Sequence, residues 1–203
     1  NNVLTDFLKT GEYNKNRQFF TTTSPSMDIL ISSNLERLLY HISGEDDTLV
    51  SKLMASLGAE GKYQVSPELI TSIKELFDAG YCDENSVDAT IKEQFDKYHY
   101  LCDTHTAVAV KVYENYVEKT GDDIVTVIDS TASPYKFSKS VLTAVMGGKA
   151  PKLDEFDMVD ELNRVTGAEV PTPLKSLKDK AVRFTNVCDK ENMSEMVFKL
   201  LNL

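Results

Sequence analysis

Apolar residues recur at steps of three and four along most of this chain, the spacing of helices with one buried face. The strongest helix signal begins at Ser24, a suitable N-cap, with Pro25 at the first helical position and Asp28 in the opening turn. Its apolar face, which ends before Ser43-Gly44, contains Met27, Ile31, Leu35, Leu38 and Ile42. The pattern predicts further helices at about 46–57 (ended by Gly58), 66–80 (ended by Gly80), 86–98 (capped by Ser86), 104–119 (ended by Gly121), 138–146, 154–166 and 190–201.

Strand signals are few. Residues 123–128 are short, β-branched and almost continuously apolar, which is typical of a strand buried on both faces of a parallel sheet. Residues 181–187 are a second predicted strand and 62–65 a weaker third. Because two or three strands make a poor sheet alone, we expect the helices to cover a sheet whose other strands lie outside this chain. The predicted fold class is α/β, helix-rich, with an incomplete parallel sheet.

Composition and charge narrow the class of protein. The 203 residues, 41% hydrophobic and 27% charged, are typical of one globular domain. A net charge of −10 repels phosphates, so we exclude nucleic acid and membrane surfaces as main partners. No apolar run approaches the ~20 residues that span a bilayer. The three cysteines are odd in number and widely spaced, which favours free thiols and a cytoplasmic location.

Polar side chains crowd the predicted helix start at Ser24. Thr21, Thr22 and Thr23 precede it, and Ser26 follows it. Capping accounts for one serine, whereas exposed N–H groups at such an end also form a natural anion site. Farther along the same predicted helix, a polar stripe has two interpretations, a solvated face or part of a site. The stripe consists of Asn34, Arg37 and His41.

Two later segments carry candidate chemistry. The residues His99, Cys102, Asp103 and His105 resemble a metal cluster, but their spacing does not fit structural zinc, which favours a polar helix end. The run Ser130-Thr131-Ala132-Ser133 follows the best predicted strand. Ligands settle at the carboxyl ends of strands, and small residues let a ring approach the backbone, although such residues also form ordinary turns.

Four segments, in order, resemble threonine synthases, a pyridoxal phosphate (PLP) family, and in particular the longer type of yeasts and many bacteria. They are NNVLTDFLKT (1–10), TSPSMDILISSNLER (23–37), DTHTAV (103–108) and STASPYKF (130–137). In the third, Thr104 stands where the family has proline. The resemblance implies PLP fold type II, the tryptophan synthase beta-like three-layer architecture. It further implies that residues 1–203 are a single C-terminal portion, truncated at its N-terminus.

The resemblance also implies site residues. Thr131 is similar to the hydroxyl that meets the PLP ring nitrogen, which suits a neutral donor facing an unprotonated nitrogen. Asp103 and Ser130 join it as predicted cofactor-binding residues. The predicted substrate-binding residues are Ser24, Ser26, Asp28, Asn34, Arg37 and His105. No residue here is predicted to be catalytic, since the Schiff-base lysine and the phosphate loop of the family are expected before Asn1.

The implied reaction of the complete enzyme converts O-phosphohomoserine and water to threonine and phosphate, a carbon–oxygen lyase reaction that needs PLP and the N-terminal lobe of the same protein. The isolated piece is expected to be inactive. Two alternatives stay open. One is another fold type II PLP enzyme, a lyase or dehydratase, because the same cofactor walls serve several eliminations. The other is an acidic helical domain that binds a partner and catalyses nothing.

Overall fold

Helices dominate the computed structural model, which describes residues 1–149 and 151–203. The chain forms two compact units, Asn1–Glu169 and Val170–Leu203. The first unit contains α1 (Val3–Thr10), α2 (Ser33–Ile42), α3 (Asp47–Glu60), α4 (Pro67–Leu76), α5 (Glu84–Tyr98), α6 (Thr104–Thr120), α7 (Ser138–Val145) and α8 (Glu155–Thr166). The second contains α9 (Thr172–Lys175) and α10 (Met193–Leu201). None of the described helices is long and apolar enough to cross a bilayer.

A small antiparallel sheet lies in the first unit. Its strands are β1 (Glu12–Asn14) and β2 (Lys62–Gln64), which confirms the weaker strand predicted at 62–65. Tyr13 pairs with Tyr63 across the sheet, and their rings stack with centroids 5.3 Å apart. Phe7 from α1 meets both rings, at 5.9 and 6.0 Å. This buried aromatic cluster anchors α1 to the sheet, since each buried aromatic ring contributes about 1.5–3 kcal/mol.

The apolar helix faces are buried in two groups. Helices α1 to α4 enclose the sheet, with Leu39 and Ile73 fully buried among them. Helix α5 packs against α6 and α7, and α7 packs against α8. Ile91 and Leu162 are fully buried in that second group. The first turn of α6 and the segment before α2 are hydrogen bonded to each other, and this meeting point holds the candidate site.

The two stronger strand predictions are wrong for this structure. Within the described residues only β1 and β2 form a sheet, so the predicted parallel sheet is absent and neither 123–128 nor 181–187 is paired. Ile124, Val125 and Val127 are 71%, 93% and 84% exposed. An isolated β-branched segment cannot satisfy its backbone N–H and C=O groups by itself, so its propensity becomes a strand only beside another strand.

The helix predicted to start at Ser24 also differs. Only one 3₁₀ turn forms there (Pro25–Met27), and α2 begins at Ser33, where the Ser32 hydroxyl accepts the Leu35 N–H. Leu35 is buried as predicted, whereas Met27 and Ile31 are 44% and 54% exposed. The segment between the 3₁₀ turn and α2 forms hydrogen bonds with residues distant in sequence, and these outweigh its strong local helix start signal.

Other helix boundaries follow their caps. Helix α6 ends at Gly121 and α2 ends before Ser43-Gly44, as predicted, and α7, α8 and α10 fall at the predicted places. Helix α3 passes Gly58 and ends at Gly61, and α4 ends before Gly80. In α5 the cap is Asp83, which accepts the Ser86 N–H, because a carboxylate suits the helix dipole better than a hydroxyl. Helix α1 has no counterpart among the predicted elements.

Candidate active site

The first turn of α6 is organised around a buried carboxylate. Asp103 is the N-cap and has no exposed surface. It accepts the His105 backbone N–H at 2.9 Å and also the hydroxyl of Thr106, and its Oδ1 lies 2.9 Å from His105 Nδ1. A buried carboxylate needs several donors to offset its lost hydration, and here all of them come from the following three residues. Asp103 therefore holds the side chains of this turn in place.

His105 links this turn to the segment before α2. Its Nδ1 faces the Asp103 carboxylate, and its Nε2 accepts the backbone N–H of Ser26 at 3.2 Å. Because a carboxylate only accepts and a backbone N–H only donates, the hydrogen of the ring lies on Nδ1. The geometry thus assigns a neutral imidazole in which both nitrogens are occupied by protein partners.

A second bond fastens the same two segments. The Thr104 hydroxyl donates to the Thr23 carbonyl at 2.8 Å, across 81 positions of sequence. A proline, which the motif that this segment resembles has here, could not make that bond, since it has no hydroxyl. The departure from the motif therefore adds a bond and leaves the helix start intact.

The third predicted segment reaches the same turn. The hydroxyls of Thr106 and Ser130 are 3.1 Å apart and hydrogen bonded, and the ring of Phe137 lies 4.8 Å from that of His105 between centroids. Ser130 is thus joined to Asp103 through Thr106. Thr131, the next residue, is exposed, and no hydrogen bond of its side chain occurs within the described part of the chain.

The predicted substrate-binding residues around Ser24 divide into three kinds. The Asp28 carboxylate accepts from the Thr22 N–H, the Thr22 hydroxyl and the Asn1 amide, so it shapes the segment internally. Ser26 is exposed and supplies its N–H to His105. Ser24 is only 4% exposed, and its hydroxyl has no partner. It lines a cavity of about 110 Å³ together with Thr22, Asp28 and residues of α1 and α5.

Asn34 and Arg37 lie apart from this cluster. Both are exposed on α2, where the Arg37 guanidinium donates to the Asn34 amide oxygen and, at 3.5 Å, to the Ser33 carbonyl. Arg37 also lines an open groove with Tyr40 and Ser51. In the described residues, no hydrogen bond joins Asn34 or Arg37 to His105 or Ser26. Their substrate-binding role stays a prediction, beside the solvated-face interpretation.

Sequence reasoning misses three residues that the structure brings into the site. Thr104 and Thr106 supply hydroxyls, and Phe137 covers the His105 ring. A usable signal is present for the threonines, because hydroxyl residues that follow an Asp N-cap lie within reach of its carboxylate. Phe137 belongs to the quoted STASPYKF segment, but nothing in its local sequence indicates that its ring meets His105. Among the described residues, no group of three or more His, Cys, Asp or Glu side chains is arranged to hold a metal ion.

Known proteins that resemble this chain are threonine synthases and threonine synthase-like proteins. A family model described as the C-terminal part of threonine synthase matches residues 106–197. Human threonine synthase-like 1 is 38% identical over 146 residues, which cover 71% of this chain and 19% of that protein. The chain therefore spans less than half of the curated relatives that it matches.

Solved structures give the same result. The crystal structure of yeast threonine synthase superimposes with a TM-score of 0.76 at 30% identity, covering 98% of this chain and 40% of that one. The crystal structure of PLP-bound threonine synthase from Brucella melitensis gives 0.65 at 33% identity, covering 81% and 38%. This likeness confirms the predicted α/β fold class. The chain belongs to the threonine synthase family and corresponds to its C-terminal portion.

Proposed function

We propose that this chain forms one wall of the active site of a PLP-dependent threonine synthase, which converts O-phosphohomoserine and water to threonine and phosphate. The observation that carries the proposal is the meeting of three distant segments at the first turn of α6. There Ser26, His105 and Ser130 are joined through the single buried carboxylate of Asp103. In our proposal the N-terminal lobe of the same protein supplies the opposite wall and the reactive lysine.

The residues present fit the pyridine end of PLP. When bound, PLP withdraws electrons from the substrate's α-carbon and so eases removal of the neighbouring proton. Thr131 is exposed and its hydroxyl is unused within the described residues, so it is free to donate to the ring nitrogen. Its neighbour Ser130 is tied to Thr106, which steadies the segment. We propose that Thr131 contacts the ring and that Asp103, which is fully buried, acts through Ser130.

The same contacts divide the proposed substrate-binding residues into two groups. Ser26 and His105 are bonded to each other, and Asp28 orders the segment that carries Ser26. These three, with Ser24, form the substrate side in our proposal. Asn34 and Arg37 enter it only if a bound substrate extends to the exposed face of α2. The cytoplasm is the proposed compartment, in keeping with the free cysteines of the described chain.

The reaction is tested with the complete protein that contains this chain, loaded with PLP. We expect threonine and phosphate to form from O-phosphohomoserine, and little product from threonine or serine. If product formed only from threonine and serine, the protein would be a dehydratase, the alternative that uses the same cofactor walls.

The role of Thr131 is tested in the same protein by Thr131→Val, with Thr131→Ser as the matched control. Valine keeps the shape but leaves the ring nitrogen unpaired. We therefore expect an altered cofactor absorbance. The stabilisation of the transition state should fall by roughly 1 kcal/mol or more, which lowers turnover about fivefold or more. Serine keeps the hydroxyl and should stay near wild type. An unchanged spectrum and rate in Thr131→Val would exclude Thr131 as the ring partner.

A further inference from the structure

One buried hydroxyl reaches the backbone between the 3₁₀ turn and α2. Tyr13 is 1% exposed, and its hydroxyl donates to the Leu30 carbonyl at 2.9 Å and accepts the Ser32 N–H at 3.1 Å. Its ring is held by the stack on Tyr63 and by the contact with Phe7. The position of this hydroxyl is therefore set by the sheet and α1, which belong to a different part of the core from α6.

The two groups that Tyr13 engages are those that a continuous helix would need. In a helix running from Ser24 to Ile42, the Leu30 carbonyl would accept the Asn34 N–H and the Ser32 N–H would reach the Asp28 carbonyl. The tyrosine hydroxyl takes both groups instead. Burial raises the pKa of Tyr13, which keeps the phenol protonated and able to donate and accept at neutral pH. This accounts for the failure of a strong helix start signal.

The interruption decides where Ser26 lies. The segment before α2 is bonded to α6 through the Ser26 N–H and the Thr23 carbonyl, and the same segment is bonded to the sheet through Leu30 and Ser32. Between these two attachments it spans only a few residues, among them Ile29, whose N–H reaches the Met27 carbonyl at 2.8 Å. A displacement at Leu30 is therefore transmitted to Ser26 over a short stretch of chain.

We propose that Tyr13 is a positioning residue for the candidate active site, holding residues 24–32 in the non-helical form that places Ser26 against His105. The part that concerns substrate binding rests on the proposed function. In the described structure Tyr13 makes no hydrogen bond or ring contact with Ser26, His105, Ser130 or Thr131, so its effect passes through the backbone.

The test compares Tyr13→Phe with Tyr63→Phe in the complete protein. Both changes keep a ring in the stacked pair and remove one hydroxyl, but the Tyr63 hydroxyl has no hydrogen bond to residues 24–32 among the described contacts. In Tyr13→Phe we expect amide hydrogen exchange at residues 26–32 to become about tenfold faster, because two hydrogen bonds to this segment are lost. In Tyr63→Phe the exchange there should match wild type.

Steady-state kinetics provide a second readout. In Tyr13→Phe the ordered form of residues 24–32 should be populated less often, so the apparent affinity for substrate falls in proportion. Because protein molecules with substrate bound still react, KM should rise about five- to tenfold with kcat nearly unchanged. A role confined to general stability would lower the active fraction and leave KM in place.

The outcomes separate this proposal from the proposed function. Faster exchange confined to residues 26–32 supports positioning by Tyr13 even if no threonine is formed, in which case only the reaction is refuted. Wild-type exchange and KM in Tyr13→Phe would overturn the proposal. Equal effects in both variants, or a loss of protection throughout the molecule in Tyr13→Phe, would overturn it as well, because the hydroxyl would then serve the whole core.

Discussion

At the scale of single residues, His105 has a structural role, because both of its ring nitrogens have protein partners. A general base needs a ring nitrogen that faces the substrate, and here Nδ1 is directed to Asp103 while Nε2 accepts from Ser26. The imidazole therefore joins two segments, and Phe137 covers its ring. The expectation that no residue of this chain is catalytic stays a prediction.

Ser24 allows a sharp test, because its hydroxyl is buried without a partner. Ser24→Ala removes an unsatisfied polar group, so the free energy of unfolding should be unchanged or higher by up to about 1 kcal/mol. If the hydroxyl binds substrate, KM of the complete enzyme should nevertheless rise about fivefold or more. Chemical denaturation and steady-state kinetics measure the two effects separately.

Ser26→Ala is the matched control, since that side chain is exposed and the backbone N–H that bonds His105 is retained. It should leave the free energy of unfolding near wild type, so it is the control for the stability measurement. A destabilisation of Ser24→Ala by more than about 1 kcal/mol would show instead that the Ser24 hydroxyl has a partner inside the folded protein.

At the scale of elements, helix ends are decided by backbone geometry more than by the mere presence of glycine. Gly58 lies within α3 and is exposed, with nothing within 4 Å of where a Cβ would be. Gly61 ends the helix in the left-handed region at φ 77°, and a Cβ there would lie 2.1 Å from the Asn16 side chain. The same residue type, three positions apart, therefore plays opposite roles.

This pair predicts stability changes of opposite sign. Gly58→Ala should stabilise the protein by roughly 0.5–1 kcal/mol, because alanine loses less backbone entropy in a helix. Gly61→Ala should destabilise it by about 1 kcal/mol or more, since the left-handed conformation strains a Cβ and Asn16 must move from the Glu60 carbonyl. Urea unfolding of both variants checks this, and changes of the same sign would contradict the assignment of Gly61 as the helix end.

At the scale of the whole chain, burial is unevenly distributed between the two compact units. The buried apolar residues of the described structure lie between Val3 and Leu162, and none lies in Val170–Leu203. Within that second unit, Phe184, Val187 and Leu203 are 79%, 89% and 83% exposed. The first unit therefore contains the interactions that stabilise the fold of this chain.

We expect a polypeptide of residues 1–169 to fold as the 203-residue chain does. Its thermal midpoint should lie within about 4 °C of that of the longer chain, the shift that ~1 kcal/mol produces in a protein of this size. Circular dichroism of the two polypeptides measures both helical content and midpoint. A non-cooperative transition in the shorter one would refute the prediction and show that Val170–Leu203 contributes to the core.

Local signals in the sequence determine the elements whose causes lie within a turn or two. The Asp103 cap and the apolar spacing after it define α6, Ser66-Pro67 begins α4, and Gly121 ends α6 in the left-handed conformation. Each depends on interactions between residues a few positions apart, which a sequence displays directly. The quoted motifs were likewise sufficient to identify the family, and their residues Ser26, Asp103, His105 and Ser130 do meet.

Only the tertiary structure decided the features whose partners are distant in sequence. Residues 123–128 have strand propensity but no neighbouring strand in the described chain. The helix start signal at Ser24 does not produce a continuous helix, because the hydroxyl of Tyr13 in β1 binds backbone groups that the helix would need. The contact of Ser26 with His105 joins positions 79 apart. Local propensities are worth tenths of a kcal/mol to about 1 kcal/mol per residue, and a buried hydrogen bond or a missing strand partner equals or exceeds that.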